Sequence, residues 1–192
     1  MSPVTARIRP ATPEDDDAVL AVIAAAFDRP AVVDLWREVQ PTAHASLVAD
    51  QDGSVVGHVG LSPSWVDARR ALVDVWVLSP LSVDPRVQDR GIGTQLVRAA
   101  IATAREAGAP LLFLEGSPDY YGRRGFEPAL GRGFTPPSPR IPGPAFQCAV
   151  LDAWEPWMTG ALVYRDVWWR HESVGLRDPF LAEVEQRLRG SS

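Results

Sequence analysis

The chain has 192 residues and a formal net charge of −5, and all 19 of its basic side chains are arginines because it contains no lysine. This length is typical of a single domain with a substantial core, and a composition of 46% hydrophobic and 22% charged residues excludes an intrinsically disordered chain. The acidic balance argues against nucleic-acid binding, and the absence of lysine excludes a lysine-dependent phosphate loop or a lysine nucleophile.

The sequence also predicts where the protein acts. No apolar run approaches the about 18–20 residues that cross a bilayer, and residues 1–17 are too polar for a signal peptide. The single cysteine, Cys148, cannot form an internal disulfide, which fits a reducing compartment. We therefore expect a cytoplasmic protein without a membrane partner.

The first part of the chain predicts a strand followed by helices. Ile8 and Arg9 form a short strand. Thr12-Pro13 followed by acidic residues is typical of a capped helix start. One face of this helix is apolar and comprises Val19, Val22, Ile23, Ala26 and Phe27. A second helical stretch is predicted over residues 31–45.

Three extended segments come next. Residues 45–50 and 54–61 form a hairpin, because Asp52-Gly53 between two apolar runs is a strong turn signal. Residues 71–83 form a third strand. Pro80 removes a ladder donor from this strand, so we expect it to bulge or splay there.

The clearest helix spans residues 91–107 and is followed by a buried strand. The helix has one apolar face, formed by Ile92, Leu96, Val97, Ala100, Ile101 and Ala104. Residues 111–114 are uniformly apolar, as in a strand that is buried on both faces. Strand, helix and strand in this order predict a parallel crossover.

The rest of the chain is less regular. A short helix is predicted over residues 119–124, and the proline-rich residues 135–144 are expected to form an extended surface loop. Residues 146–151 form what we expect to be the final strand. A capped helix over residues 178–189 follows, with Leu181, Val184 and Leu188 on one face.

The segment with the clearest chemistry lies between the third strand and the long helix. Gly91 and Gly93 open this helix, which brings unpaired backbone N–H groups and the positive end of the helix dipole to one point. Such a point favours an anion such as a diphosphate. The segment is neither a Walker loop nor a dinucleotide fingerprint, since the third glycine position of that fingerprint holds Leu96.

Two motifs resemble those of one known family. Gln88-Asp89-Arg90-Gly91-Ile92-Gly93 is similar to motif A of the GNAT superfamily of N-acetyltransferases, Gln/Arg-x-x-Gly-x-Gly/Ala. Tyr120-Tyr121-Gly122-Arg123-Arg124-Gly125-Phe126 resembles the family's second block, an aromatic-Tyr-x-x-x-Gly-Phe pattern. The order of the predicted elements matches the family from residue 8 to residue 151.

The resemblance implies an α/β fold of the α+β type, the GNAT acyl-CoA N-acyltransferase fold. Its sheet is mixed, mostly antiparallel and splayed, and it is flanked by helices. The resemblance divides the chain into a GNAT domain at residues 1–151 and a C-terminal extension at residues 152–192, which contains a helix and is expected to pack on the same domain.

The resemblance also implies acetyl-CoA as co-substrate and a primary amine as acceptor. The three histidines and the single cysteine show no metal-ligand spacing, so we expect no metal. By analogy, the splayed strand end pairs with the pantetheine arm through Leu81, Ser82 and Val83, and an amide near Val83 polarises the thioester carbonyl. The backbone amides of the following loop hold the diphosphate: Gln88, Asp89, Arg90, Gly91, Ile92, Gly93 and Thr94.

Tyr121 matches the family's general acid, which protonates the departing thiolate. A phenol has an ordinary pKa of about 10 and therefore stays protonated at neutral pH. Candidates for the general base are His58, Asp74 and Glu115, and water is a further alternative. Each residue has a structural role as its alternative, and for a histidine in an apolar strand, such as His58, the structural role is the commoner one. Because Cys148 lies in an apolar strand and is expected to be buried, we predict direct attack in a ternary complex rather than an acyl-cysteine route.

The sequence does not identify the amine acceptor. We expect residues 31–45, a loop at residues 63–70 and the proline-rich loop at residues 135–144 to build its site. The net acidity mildly favours cationic acceptors such as polyamines, aminoglycosides or basic peptide termini. Four tryptophans of the tail could line an acceptor pocket, form a homodimer interface or belong to the core: Trp154, Trp157, Trp168 and Trp169.

Two other functions compete with catalysis. The first is a non-catalytic acyl-CoA-binding or sensing module that keeps the diphosphate loop. The second is a structural partner that uses the tryptophan-rich tail as an interface.

Overall fold

The computed structural model describes residues 6–190, so the first five residues of the predicted GNAT domain and the last two of the extension lie outside the described residues. The strands are β1 (Arg7–Pro10), β2 (Ala45–Gln51), β3 (Ser54–Ala68), β4 (Leu72–Val83), β5 (Leu111–Glu115), β6 (Glu127–Pro128), β7 (Phe146–Val150) and β8 (Gly160–Val163). The α-helices are α1 (Asp16–Ala26), α2 (Pro30–Val39), α3 (Ile92–Glu106), α4 (Pro118–Gly122), α5 (Asp166–Arg170) and α6 (Phe180–Gly190).

The described strands form one eight-stranded sheet in the order β1-β2-β3-β4-β5-β7-β6, with β8 paired to β3. The β4–β5 pair is parallel and is connected through α3, and the other named pairs are antiparallel. The mixed, mostly antiparallel sheet and its single parallel crossover were predicted from the sequence and are confirmed.

Helices cover both faces of the sheet because alternate strand residues point to opposite sides. Val75 and Val77 of β4 join the core beneath α1 and α2, where Ile23 and Trp36 are buried. Leu78 joins the opposite core beneath α3. The predicted apolar face of α3 is confirmed at five residues, which are all buried: Ile92, Leu96, Val97, Ala100 and Ala104.

The hairpin between β2 and β3 is confirmed, but β3 is longer than predicted. Residues 63–70 were expected to form a loop, and this is wrong through Ala68 because β3 continues along β4 and gains β8 as a second neighbour. Pro63 is tolerated because it lies between the part of β3 that pairs with β2, up to Leu61, and the part that pairs with β8, from Trp65.

Other predictions for the second half of the chain need correction. The strand at residues 146–151 is not the last, since β8 follows it. The proline-rich segment is not wholly a surface loop, because Ser138 and Ile141 are buried. The Arg140 carbonyl accepts the Leu176 N–H at 3.0 Å, so the later tail covers this segment.

The tail also enters the core. Leu162 of β8 and Trp168 of α5 are buried in the same core as Trp36, whereas Trp169 is 41% exposed. Leu181 and Val184 lie on the half-buried face of α6, as the sequence predicts. Between residues 6 and 190, no helix is both long enough and apolar enough to cross a membrane.

Candidate active site

The site begins where the parallel strands separate. β4 pairs with β5 only at Trp76 and Val77, whereas its other edge stays paired with β3 as far as Val83. A register shift between β3 and β4 falls next to Pro80, as its missing N–H predicts. One edge of β4 beyond Val77 therefore faces an opening between β4 and β5.

The N-terminus of α3 borders this opening. Gly91 adopts φ = 83°, a left-handed conformation that glycine accommodates without strain. The first hydrogen bond of the helix runs from the Gln95 N–H to the Gly91 carbonyl, at 3.1 Å. The N–H groups of Ile92, Gly93 and Thr94 therefore lack intrahelical acceptors and give this end a positive potential.

An outer cavity of about 770 Å³ lies at this helix end. It is lined by eight of the ten predicted coenzyme-binding residues: Leu81, Val83, Gln88, Asp89, Gly91, Ile92, Gly93 and Thr94. Arg90 and Ser82 do not line it. Ser82 is buried, and its hydroxyl lies 3.5 Å from the His58 carbonyl oxygen.

Arg124 and Tyr120 close the outer cavity on the side of α4. The Arg124 guanidinium lies 3.6 Å over the Tyr120 ring and donates from Nε to Thr94 Oγ1 at 2.9 Å. The Tyr120 hydroxyl approaches Gly93 so closely that a Cβ at Gly93 would overlap it. The spacing of the second motif indicated an aromatic residue here, but only the fold shows that Arg124 contacts the start of α3.

Tyr121 lies between the outer cavity and a second, inner cavity of about 490 Å³, and it lines both. Its ring packs edge-on against Tyr120 and Phe126. Burial raises the pKa of Tyr121 above its ordinary value, so its hydroxyl remains protonated at neutral pH. The residue can therefore donate a hydrogen bond at the point where the two cavities meet.

The inner cavity extends from the same opening toward α2 and the tail. Val32 and Leu35 come from the predicted segment 31–45, and Pro142 comes from the predicted segment 135–144. No residue of the predicted segment 63–70 lines this cavity, and those through Ala68 belong to β3. The tail also contributes to this wall. Trp168, one of the tryptophans that the sequence offered as possible pocket lining, lies here, whereas sequence reasoning missed the others: Tyr164, Ser173, Gly175, Leu176 and Val184.

Glu115, at the end of β5, is the acidic residue among those described along the inner cavity. Its Oε2 accepts the Gly175 N–H at 3.1 Å, whereas Oε1 is buried without a well-formed hydrogen bond from a described residue. Burial raises the pKa of Glu115 to about 7, although Tyr164, the Gly175 N–H and Arg140 oppose this shift. The carboxyl group is thus poised to exchange a proton near neutral pH.

The other two candidate bases lie elsewhere. His58 is 0% exposed, hydrogen-bonds to Ser46 Oγ at 3.0 Å and has its pKa lowered to about 3 by burial. Asp74 is exposed on β4, and neither residue lines the inner or the outer cavity. Of the three, Glu115 is the one that lines the same cavity as Tyr121.

Cys148 lies on β7 and is fully buried. Burial raises the pKa of its thiol to about 12, and the residue lines neither cavity. Between residues 6 and 190, no group of three or more His, Cys, Asp or Glu side chains is arranged to hold a metal ion.

Comparison with known proteins accounts for this architecture. Residues 7–129 match the family model described as an acetyltransferase (GNAT) domain. The chain belongs to this family. A curated relative, the uncharacterized N-acetyltransferase YjhQ of Escherichia coli K12, is 35% identical over 95 residues, which are 49% of this chain and 52% of that protein. The match therefore spans about half the length of that relative.

Two solved structures of the GNAT family are also similar. The N-acetyltransferase YhbS of Escherichia coli in complex with CoA has a TM-score of 0.76 and 28% identity, with 86% of this chain and 92% of YhbS covered. An acetyltransferase of Brucella melitensis in complex with acetyl-CoA has a TM-score of 0.68 and 29% identity, with 84% of this chain and 97% of that chain covered.

Proposed function

We propose that this protein transfers an acetyl group from acetyl-CoA to a primary amine by direct attack in a ternary complex. The meeting of the outer and inner cavities at Tyr121 is the observation that carries this proposal. The solved relatives that hold CoA and acetyl-CoA support the choice of donor. Acetyl-CoA supplies an activated acyl group, and no metal takes part.

The outer cavity is the proposed coenzyme site. The free N–H groups of Ile92, Gly93 and Thr94 suit a diphosphate, because a helix N-terminus stabilises negative charge. The open edge of β4 from Leu81 to Val83 suits the amide groups of a pantetheine arm. A backbone N–H near Val83 would then stabilise negative charge developing on the thioester oxygen.

Tyr121 is the proposed donor to the leaving sulfur. When the amine nitrogen bonds to the carbonyl carbon and the C–S bond breaks, the electron pair moves to sulfur. An ordinary thiol has a pKa of about 8.5, below that of tyrosine, so complete proton transfer from Tyr121 is uphill. The stabilising role of Tyr121 is therefore a strong hydrogen bond to the departing thiolate. The thiolate then takes the proton that the attacking nitrogen loses as the amide forms, so that the free thiol and the amide are both neutral.

Glu115 is the proposed base. An ammonium must lose a proton before its nitrogen can attack, and the Glu115 carboxylate lines the cavity on the other side of Tyr121. Its raised pKa supports this role, because a base is most effective when its pKa lies near the working pH. Burial of the only cysteine, Cys148, argues against an acyl-enzyme route.

The test is release of free thiol from acetyl-CoA across a panel of primary amines, combined with calorimetry of CoA binding. We expect thiol release that depends on the amine and an acetylated product of matching mass. Tight CoA binding without thiol release for any amine would overturn the proposal and favour the sensing module. Localisation in the cytoplasm and formation of a homodimer stay predictions from the sequence.

A further inference from the structure

We infer that the acceptor is a compact primary amine with a single cationic nitrogen and an apolar body. This inference rests on the proposed function and adds the substrate class. It is drawn from the walls of the inner cavity, which are mainly apolar and contain one carboxylate. It departs from the expectation based on net charge, which favoured polyamines and aminoglycosides.

The apolar wall is built by two separate parts of the chain. One side is formed by Val32 and Leu35 of α2. The other is formed by Trp168 of α5, Val184 of α6 and Leu176, which precedes α6. Apolar surfaces of this kind bind alkyl or aryl groups because burial removes both surfaces from water. In an acceptor that fills this part of the cavity, the portion remote from the amino group is therefore hydrocarbon and uncharged.

Glu115 provides a place for one ammonium group. The Tyr164 hydroxyl acts on this carboxyl group, but Oε1 has no well-formed hydrogen bond from a described residue and keeps the capacity to accept one from a bound amine. The Gly175 N–H already occupies Oε2. Arg140 also acts on this carboxylate electrostatically, so part of its charge is already balanced.

A second ammonium has no comparable partner. Among the described residues that line the inner cavity, the other charged side chain is Arg29, which is exposed and repels cations. A buried charge without a partner is strongly disfavoured. The local walls thus select against polycations, even though the whole chain is acidic.

The test compares n-hexylamine with 1,6-diaminohexane, which differ mainly at the end remote from the reacting nitrogen. We expect kcat/KM for thiol release at pH 8 to be at least tenfold higher for n-hexylamine. Across n-alkylamines from propyl to hexyl, kcat/KM should rise about fourfold per methylene, which corresponds to about 0.8 kcal/mol of apolar burial. Equal or better use of the diamine would overturn the inference and leave acetyl transfer intact.

Calorimetry of both amines in the presence of CoA separates the inference from the proposed function. Tighter binding of n-hexylamine without acetylation of either amine would support the ligand preference inferred from the cavity walls and overturn the proposed reaction. Equal binding of both amines would overturn the acceptor class even if both are acetylated.

A carboxylate added to the wall of the inner cavity should change the preference between the monoamine and the diamine. Val184→Glu places a second carboxylate on the half-buried face of α6, so the ratio of diamine to monoamine kcat/KM should rise at least tenfold. Val163→Glu on β8 is the matched control, because Val163 is 38% exposed and lines neither cavity. An unchanged ratio in Val184→Glu, with the fold retained by circular dichroism, would contradict the inference.

Discussion

Replacing Glu115 with glutamine tests the proposed base with little change in shape. The side-chain carbonyl of glutamine can still accept the Gly175 N–H, but it cannot take a proton from an ammonium at neutral pH. We expect kcat to fall by about 10²- to 10⁴-fold, the usual contribution of general base catalysis. CoA affinity should be nearly unchanged because Glu115 does not line the outer cavity.

The pH dependence of activity gives a sharper readout. Because the carboxylate form of Glu115 is the proposed base and burial raises its pKa to about 7, kcat/KM of the parent protein should rise tenfold per pH unit below 7 and level off above it. Glu115→Gln should lose this inflection. If an inflection near pH 7 persists in the variant, another group is the base.

The same carboxyl group should also link stability to pH. The folded state holds the Glu115 proton to about pH 7, whereas the unfolded chain releases it near the usual value of 4.5. The folded protein thus binds more protons between these values, and its free energy of unfolding falls as pH rises through this window. Since each tenfold change in an ionisation constant is worth 1.36 kcal/mol, the loss between pH 5 and pH 8 is about 2.5 kcal/mol.

Urea denaturation at pH 5 and pH 8 measures this loss. The difference in free energy of unfolding between Glu115→Gln and the parent protein should favour the variant by about 2.5 kcal/mol more at pH 8 than at pH 5. Glu106→Gln, at the exposed end of α3, is the matched control and should show no such difference. A Glu115→Gln effect that is the same at both pH values would refute the raised pKa.

Three further predictions concern other parts of the site. Tyr121→Phe should lower kcat about 100-fold with little change in CoA affinity, and equal activity would exclude Tyr121 as the donor. Gly93→Ala should weaken CoA binding about tenfold in calorimetry because its Cβ displaces Tyr120, and adding Tyr120→Phe should restore part of the loss. Cys148 should react with iodoacetamide only on unfolding, and rapid labelling of the native protein would contradict its burial.

Local signals in the sequence were sufficient to predict the start of α3. The strand, the turn and the two glycines at 91 and 93 are neighbours in the chain, so their physical consequence can be deduced without the fold. The irregularity at Pro80, where the register between β3 and β4 shifts, was equally predictable, because a missing N–H has its effect within its own strand.

The general base could not be chosen from the sequence because the answer depends on where each strand lies in the sheet. His58, Asp74 and Glu115 all occur in apolar strand patterns. In the folded protein His58 is buried and Asp74 is exposed. Glu115 lies at the end of β5, beside the opening between β4 and β5. These differences come from pairing between distant segments, which periodicity does not reveal.

The division of the cavities explains why the motifs indicate a donor but not an acceptor. All residues that line the outer cavity lie within residues 7–129, the part that matches the family model. The inner cavity, in contrast, is completed by residues beyond that part, from Pro142 to Val184. These residues reach the site because β8 pairs with β3 and the Trp168 side chain enters the core, contacts between segments far apart in sequence. With the inner cavity as the proposed acceptor site, a change of tail sequence would alter the acceptor while the outer cavity stays the same. Related chains with different acceptors should therefore differ at Trp168, Leu176 and Val184.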